Sequence, residues 1–162
     1  MSVLIVHSQS TRAMWEAYLD ARDLPAETPC SLVAFGDSDE MMDSLAALVL
    51  HGPKRATTSL LRWYGAGGER YPIAGDRFIV VDSKKNACCI AEMTTVRECA
   101  FRDVDAAYAY VEGEGDRTLA MWRADHGAFF AREAAQGGFV FDDDTHVVLQ
   151  YFRVVWPNAD CR

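Results

Sequence analysis

Between Arg77 and Val96 the chain runs RFIVVD, then the charged and polar interval Ser83 to Asn86, then a second run rich in apolar and β-branched residues from Ala87 onward. Two such runs around a short polar turn read as a hairpin, which commits the chain to an antiparallel strand pair. Further strands are predicted at Arg55 to Leu61 (RATTSLL) and at His146 to Trp156 (HVVLQYFRVVW). Helical periodicity fills much of the rest. Ala13 to Leu24 places Met14, Trp15, Tyr18 and Leu19 near one face, with Thr11 as a cap, before Pro25 and Pro29 break it. Ser38 to His51 is capped by Asp37 or Ser38, carries the stripe Met41, Leu45, Leu48 and Val49, and stops at Gly52 and Pro53. Helices are also predicted over Phe101 to Val111 and over Arg117 to Ala135, the latter with Leu119, Trp122, His126, Phe129 and Phe130 as its stripe and Gly137 and Gly138 at its end. Helices and strands mix without regular βαβ alternation, so the expected class is α+β, built on a small curled, mostly antiparallel sheet or barrel.

The 162 residues predict one domain, long enough to bury a core without a disulfide or metal staple. The five cysteines include an adjacent pair and show no CxxC spacing, which excludes a disulfide framework or zinc site and favours a reducing compartment. The apolar run Val3 to Val6 has no basic region before it and Leu45 to Leu50 is too short to span a bilayer, so a cytoplasmic protein without a membrane partner is expected. The helix stripes are no wider than a core requires, predicting a monomer or weak homodimer. With 16 basic against 24 acidic residues, a net charge of -8, a broad grip on phosphate backbones is excluded and no double-stranded DNA partner is expected. The charge is uneven, however. From Gly52 to Arg77 there are five basic residues (Lys54, Arg55, Arg62, Arg70, Arg77) and two acidic ones (Glu69, Asp76), a local balance of +3. That permits a confined site for a nucleoside or short single-stranded RNA.

Chemistry concentrates at two places. Gly52-Pro53-Lys54-Arg55-Ala56-Thr57-Thr58-Ser59 puts a lysine three residues before a threonine on a turn that feeds a strand, and the two can share a pocket if the chain bends after Lys54. It is not a P-loop, and its bland alternative is a basic turn before a hydroxyl-rich strand. Glu112-Gly113-Glu114-Gly115-Asp116 offers three carboxylates at alternate positions, either a weak magnesium site or a bend in which Asp116 caps the next helix. The four histidines do not pair at ligand spacing, and His126, on an apolar helix face, reads as a hydrogen-bonded core residue. Trp63-Tyr64, beside basic residues and a glycine loop, reads as an exposed stacking pair.

Lys54 to Thr58, with Phe35-Gly36-Asp37 before it and the acidic bend after it, resembles the ASCH-domain proteins of the longer bacterial type. The resemblance extends through Met14-Trp15, Trp122-Arg123, His126, Phe129-Phe130 and the closing strand Val147 to Val155. It implies a PUA-like small β-barrel with flanking helices: one ASCH domain over 1–162, with an N-terminal helical extension at about 11–24 and a short tail at 157–162. Relatives of this kind include hydrolases of the acetyl amide of N4-acetylcytidine that use a KxxT motif and a glutamate, and a nuclease for single-stranded RNA. Carried onto this chain, Lys54 and Thr57 match KxxT and Glu114 matches the glutamate, with Glu112 as the fallback; in the longer type the position of Gln150 is often glutamate. The implied chemistry has Thr57 as nucleophile, a desolvated Lys54 as its base and Glu114 as proton donor to the leaving nitrogen. Thr58 and Ser59 would face the oxyanion, while Arg55, Trp63, Tyr64 and Glu112 would bind substrate. This route needs no cofactor and no metal. The alternatives are a ribonuclease in which Lys54 and Arg55 hold phosphate and the acidic bend recruits Mg or Mn, and a module that only binds RNA or nucleotides.

Overall fold

The computed structural model describes residues 8–157, so Val3 to Val6, His7, Cys161 and all but the first residue of the expected tail lie outside the described residues. Helix α1 (Gln9–Arg22) is followed by strand β1 (Ser31–Val33), helix α2 (Asp39–Leu50) and strand β2 (Ala56–Leu60). Strands β3 (Arg77–Val81) and β4 (Ala87–Ala100), helices α3 (Ala106–Glu112) and α4 (Leu119–Gly137), and strand β5 (His146–Trp156) complete the order. The strands are hydrogen-bonded in the order β1-β3-β4-β5-β2, a mixed sheet in an α+β chain. Contacts divide the chain into two compact units. One holds residues up to Gly52, Ala74–Thr94 and the chain from Phe152; the other holds Pro53–Ile73 and Thr95–Tyr151.

In the first unit the β3–β4 hairpin is present, with Arg77 opposite Glu92 and a bulge between Val80 and Val81. The Asp82 carboxylate holds its turn by accepting from the backbone N–H groups of Lys84 and Asn86, and Lys85 takes a φ of 66°. β1 pairs parallel to β3, Ser31 opposite Phe78. Three residues are too short to display a period of two, so no sequence pattern announced it. α1 starts four residues earlier than expected because Ser8 is its cap: the Ser8 hydroxyl accepts from Thr11 N–H, and Thr11 is the reciprocal N3 partner of a capping box. Trp15, Tyr18 and Leu19 pack with Ile79, Val81 and Ile90. Ser38 caps α2, which buries Ala46 and Val49, while Met41, expected on that stripe, is 37% exposed.

In the second unit β2 and β5 run antiparallel, Ala56 opposite Tyr151 through Leu60 opposite Val147. Along β2 burial alternates: Ala56, Thr58 and Leu60 are buried, Thr57 and Ser59 half-buried. Leu60, Val147 and Leu149 form a core with Phe101, Tyr108, Trp122 and Phe130. Phe101 does not start a helix as its pattern predicted. Phe101–Asp103 is a 3-10 turn, and α3 begins only after Asp105, whose carboxylate accepts from Tyr108 N–H. The Arg123 guanidinium, reaching from α4, donates to the carbonyls of Phe101, Arg102 and Val104 and so binds up the ends of that turn. Thr118, not Asp116, caps α4; Asp116 instead accepts from the Thr118 N–H and hydroxyl.

No helix among the described residues is long and apolar enough to cross a membrane. Cys30, Cys88, Cys89 and Cys99 form no disulfide, and burial pushes the Cys30 thiol up to about 12, which makes it a poor nucleophile. Phe130 is fully buried and its ring meets those of Phe101, Phe129 and Phe141. Phe130→Ala is expected to cost about 3–5 kcal/mol in urea unfolding, whereas Val140→Ala, at a position 81% exposed, is expected to change stability by less than about 0.5 kcal/mol.

Candidate functional site

Gly52 and Pro53 end α2 and turn the chain, and the Arg55 N–H then donates to the Val111 carbonyl at 3.0 Å, fastening the turn to α3. Gly113, just past α3, has a φ of +79°, and a Cβ there would lie 2.7 Å from the backbone of Pro53 and Lys54. Only glycine allows this approach without strain. Lys54 is thereby enclosed, with no exposed surface. Its Nζ donates to the Ala56 carbonyl at 2.8 Å and to Glu114 Oε1 at 2.5 Å, and lies 3.7 Å from Glu112 Oε1.

Glu112, the last residue of α3, is also sealed from solvent. Its Oε2 accepts from the Thr58 hydroxyl at 2.9 Å and from the Trp122 indole N–H. Its Oε1 faces Lys54 and, at 3.1 Å, Nε2 of His126. The other ring nitrogen of His126 is 3.0 Å from the Trp122 carbonyl. A carbonyl and a carboxylate only accept, so this geometry suits an imidazolium with both ring nitrogens donating. Tyr108 completes the network, donating to the Thr57 carbonyl at 2.7 Å with its oxygen 3.1 Å from the Thr58 hydroxyl. Burial pushes the Glu112 carboxyl up, but the charges of His126 and Lys54 and the hydrogen bonds from His126 and Trp122 override it and hold the group at about 2. Burial pushes His126 down, and the Glu112 charge and hydrogen bond, helped by Glu114, lift it above its ordinary value.

Glu112, Glu114 and His126 bring ligand-type atoms within 4.8 Å of one another. The cation that the two carboxylates face is the ammonium of Lys54, so a divalent ion at this place would have to displace it.

The ASCH-domain model matches residues 31–156 of the chain. The chain belongs to the ASCH-domain family. It is 33% identical to the ASCH domain from Lactobacillus crispatus JV V101, whose crystal structure it matches with a TM-score of 0.85 over 94% of this chain and 99% of that one. A protein from Enterococcus faecalis V583 is also 33% identical, with a TM-score of 0.80 over 90% of this chain and 92% of that one. No curated protein matches.

Within this ASCH domain Lys54, Glu114 and Glu112 come together. Thr58, expected near an oxyanion, is instead the hydroxyl that touches Glu112. Thr57 and Ser59 lie on the opposite face of β2, Thr57 directly across from Gln150. The Gln150 amide Nε2 donates to the Ser59 hydroxyl at 2.8 Å and to the Tyr64 hydroxyl at 3.2 Å. Trp63, expected to stand exposed, is half-buried: the 3-10 turn Leu61–Trp63 folds it onto the core, its ring 6.0 Å from Phe130. The Arg55 guanidinium donates to the Lys54 carbonyl at 2.6 Å. His126, Trp122, Tyr108 and Gln150 were not singled out as site residues from the sequence. For His126 the available sign was its place one helical turn after Trp122 on the same helix face.

The two titrating partners set opposite limbs of stability. Glu112, lowered to about 2 from 4.5, contributes stability that is present above 4.5 and lost as pH falls toward 2. His126, raised above 6.5, contributes stability that is complete below 6.5 and lost as pH rises through its higher folded value. Urea midpoints measured across pH are expected to show both losses. Glu112→Gln, which leaves two buried cations short of a counter-charge, is expected to lower stability by about 3–5 kcal/mol and to abolish the acid limb assigned to Glu112; an unchanged acid limb would exclude that assignment.

Proposed function

We propose that this ASCH-domain protein is a hydrolase that cleaves the exocyclic amide of an N4-acylated cytidine-type nucleoside, with Lys54, Thr57 and Glu114 as its catalytic residues. One observation carries the reading. The Nζ of Lys54 binds the carbonyl of Ala56, one peptide bond from Thr57, and in the same place binds Glu114, whose side chain is 25% exposed. A buried cation and a solvent-facing carboxylate thus meet beside the main chain of the threonine that the family's KxxT pattern selects.

The sequence alone suggested Lys54 as base. With Nζ donating to two oxygens, the acceptor at the site is the Glu114 carboxylate, and the roles divide accordingly. The Thr57 hydroxyl attacks the acyl carbon while its proton passes, through a water at the edge of β2, to Glu114, and the Lys54 ammonium offsets the charge developing on the acyl oxygen. Collapse breaks the carbon–nitrogen bond as Glu114 returns the proton to the leaving exocyclic nitrogen. Water then adds to the acyl-Thr57 ester by the same proton route, releasing the carboxylic acid and restoring the hydroxyl. The route requires no cofactor.

A ribonuclease would need Lys54 and Arg55 on phosphate. The Arg55 guanidinium instead donates to the Lys54 carbonyl, so the second cation of that clamp is turned onto the main chain. Recognition without turnover would use the same groups and is separated by assay.

Incubation of the purified protein with N4-acetylcytidine is expected to give cytidine and acetate. Thr57→Val and Glu114→Gln are each expected to lower kcat by about 100-fold or more while leaving the circular dichroism unchanged. Absence of turnover, or full turnover in either variant, would overturn the proposal.

A further inference from the structure

Gln150 lies in β5 directly opposite Thr57. Side chains that oppose each other in an antiparallel pair stand on one face with their Cβ atoms about 4.5–5.5 Å apart. Gln150 is therefore the nearest cross-strand neighbour of the proposed nucleophile. It is 6% exposed, so its carboxamide has been taken almost wholly out of water. Both of its amide hydrogen bonds run from Nε2, to the Ser59 and Tyr64 hydroxyls. Among the described residues no group donates to its Oε1. Trp15 Nε1 is the only fully buried side-chain polar atom without a partner there, so Gln150 Oε1 keeps a small exposed area. A glutamine oxygen in such a place is costly unless something donates to it.

The two hydroxyls add a direction. Both accept from Nε2, and the Ser59 hydroxyl also donates toward the Tyr64 oxygen, so the Tyr64 proton is the one left to give. Burial raises the Tyr64 phenol above its ordinary value, which keeps that proton in place at neutral pH. Tyr71 stands edge-on to Tyr64 with ring centroids 5.5 Å apart and forms an aromatic border. The face beside Thr57 thus presents an amide acceptor next to a hydroxyl donor. An N4-monosubstituted cytosine presents the complement: one N–H on its exocyclic nitrogen, beside the acceptors N3 and O2 of the ring.

We propose that Gln150 is a specificity residue, its Oε1 accepting the exocyclic N–H of an N4-monosubstituted cytidine whose ring acceptor N3 meets the Tyr64 hydroxyl. This rests on the reading that Thr57 attacks the acyl group, since that group is attached to the same nitrogen. The chemistry selects for a nitrogen bearing one hydrogen and one substituent. It disfavours a dialkylated nitrogen, which has nothing to donate, and a uridine, whose position 4 carries an acceptor against an acceptor.

The test is a titration that needs no turnover, with N4-methylcytidine and N4,N4-dimethylcytidine as probes followed by calorimetry. The wild-type protein is expected to bind the monomethyl compound about tenfold or more tightly than the dimethyl compound, the weight of one hydrogen bond. Gln150→Leu is expected to bring the ratio near one, and Gln150→Glu, which keeps an acceptor and takes protons from both hydroxyls, to preserve it. Equal affinities in the wild type, no binding of either probe, or an undiminished ratio in Gln150→Leu would overturn the assignment. Thr57→Val is expected to keep the ratio while losing hydrolysis. Discrimination without hydrolysis in the wild type would therefore remove the catalytic reading and leave Gln150 as the reader of the base.

Discussion

A lysine ammonium with no exposed surface has to be met by charge, and the second unit of the chain is arranged around that requirement. Two carboxylates face Lys54, and two carboxylates for one ammonium leave an excess negative charge. His126 supplies the second cation, held as an imidazolium by the Trp122 carbonyl on one side and Glu112 on the other. Lys54 and His126 against Glu112 and Glu114 is a neutral quartet. Glu112 is the hinge of the balance because it touches both cations and also takes hydrogen bonds from Thr58 and Trp122. Buried charges assembled this way gain little over apolar packing, but removing one member exposes the rest to the full desolvation cost. The close approach at Gly113 follows from the same requirement, since it brings the acidic bend onto the backbone of Lys54.

The alternation of β2 separates two tasks. Thr58 points to the helices and joins the charge network, while Thr57 and Ser59 point to the other face and share it with Gln150 and Tyr64. A shift of the β2–β5 register by one residue would exchange Thr57 and Thr58 and put the wrong hydroxyl on each side. That register is fixed from both ends: Leu60 opposite Val147 belongs to the core, and Ala56 is fully buried opposite Tyr151. The apolar residues of these strands therefore decide where the hydroxyls can work.

Much of this was legible in the residues. The hairpin at Arg77–Val96, the helix ended by Gly52-Pro53 and the strand at His146–Trp156 follow from local patterns, because turn chemistry and alternation are local properties. Proximity of Lys54 to the acidic bend came from resemblance to the ASCH family, and the structure supplies the reason, a glycine contact across about sixty positions of sequence. What was not legible depended on partners distant in the chain. His126 looked like a core histidine because its face is apolar, and only the placement of Glu112 one hydrogen bond away makes it a cation. Thr11 and Asp116 were read as caps since both can cap, yet Ser8 and Thr118 do so, three and two residues away and able to do the same chemistry. Trp63 followed basic residues and preceded glycines, a setting that suggested exposure, but a single 3-10 turn was enough to fold it onto Phe130.

The net charge of -8 takes on a definite meaning at this level of detail. Lys54, Arg62 and Arg77, three of the five basic side chains between Gly52 and Arg77, are engaged within the chain. Lys54 is neutralised in the quartet, the Arg62 guanidinium lies 3.6 Å above the Phe139 ring, and Arg77 pairs with Glu92. Lys54 and Arg77, each paired with a carboxylate, have little charge left for counterion release from a long phosphate backbone. Selection of a ligand must then come from hydrogen bonds and shape at a small site, and a neutral nucleobase is a substrate whose recognition requires no phosphate. The acidic remainder of the molecule works in the same direction. It repels extended polyanions and leaves the approach of a neutral nucleoside unaffected, which is the charge balance that the proposed reaction on a modified base requires.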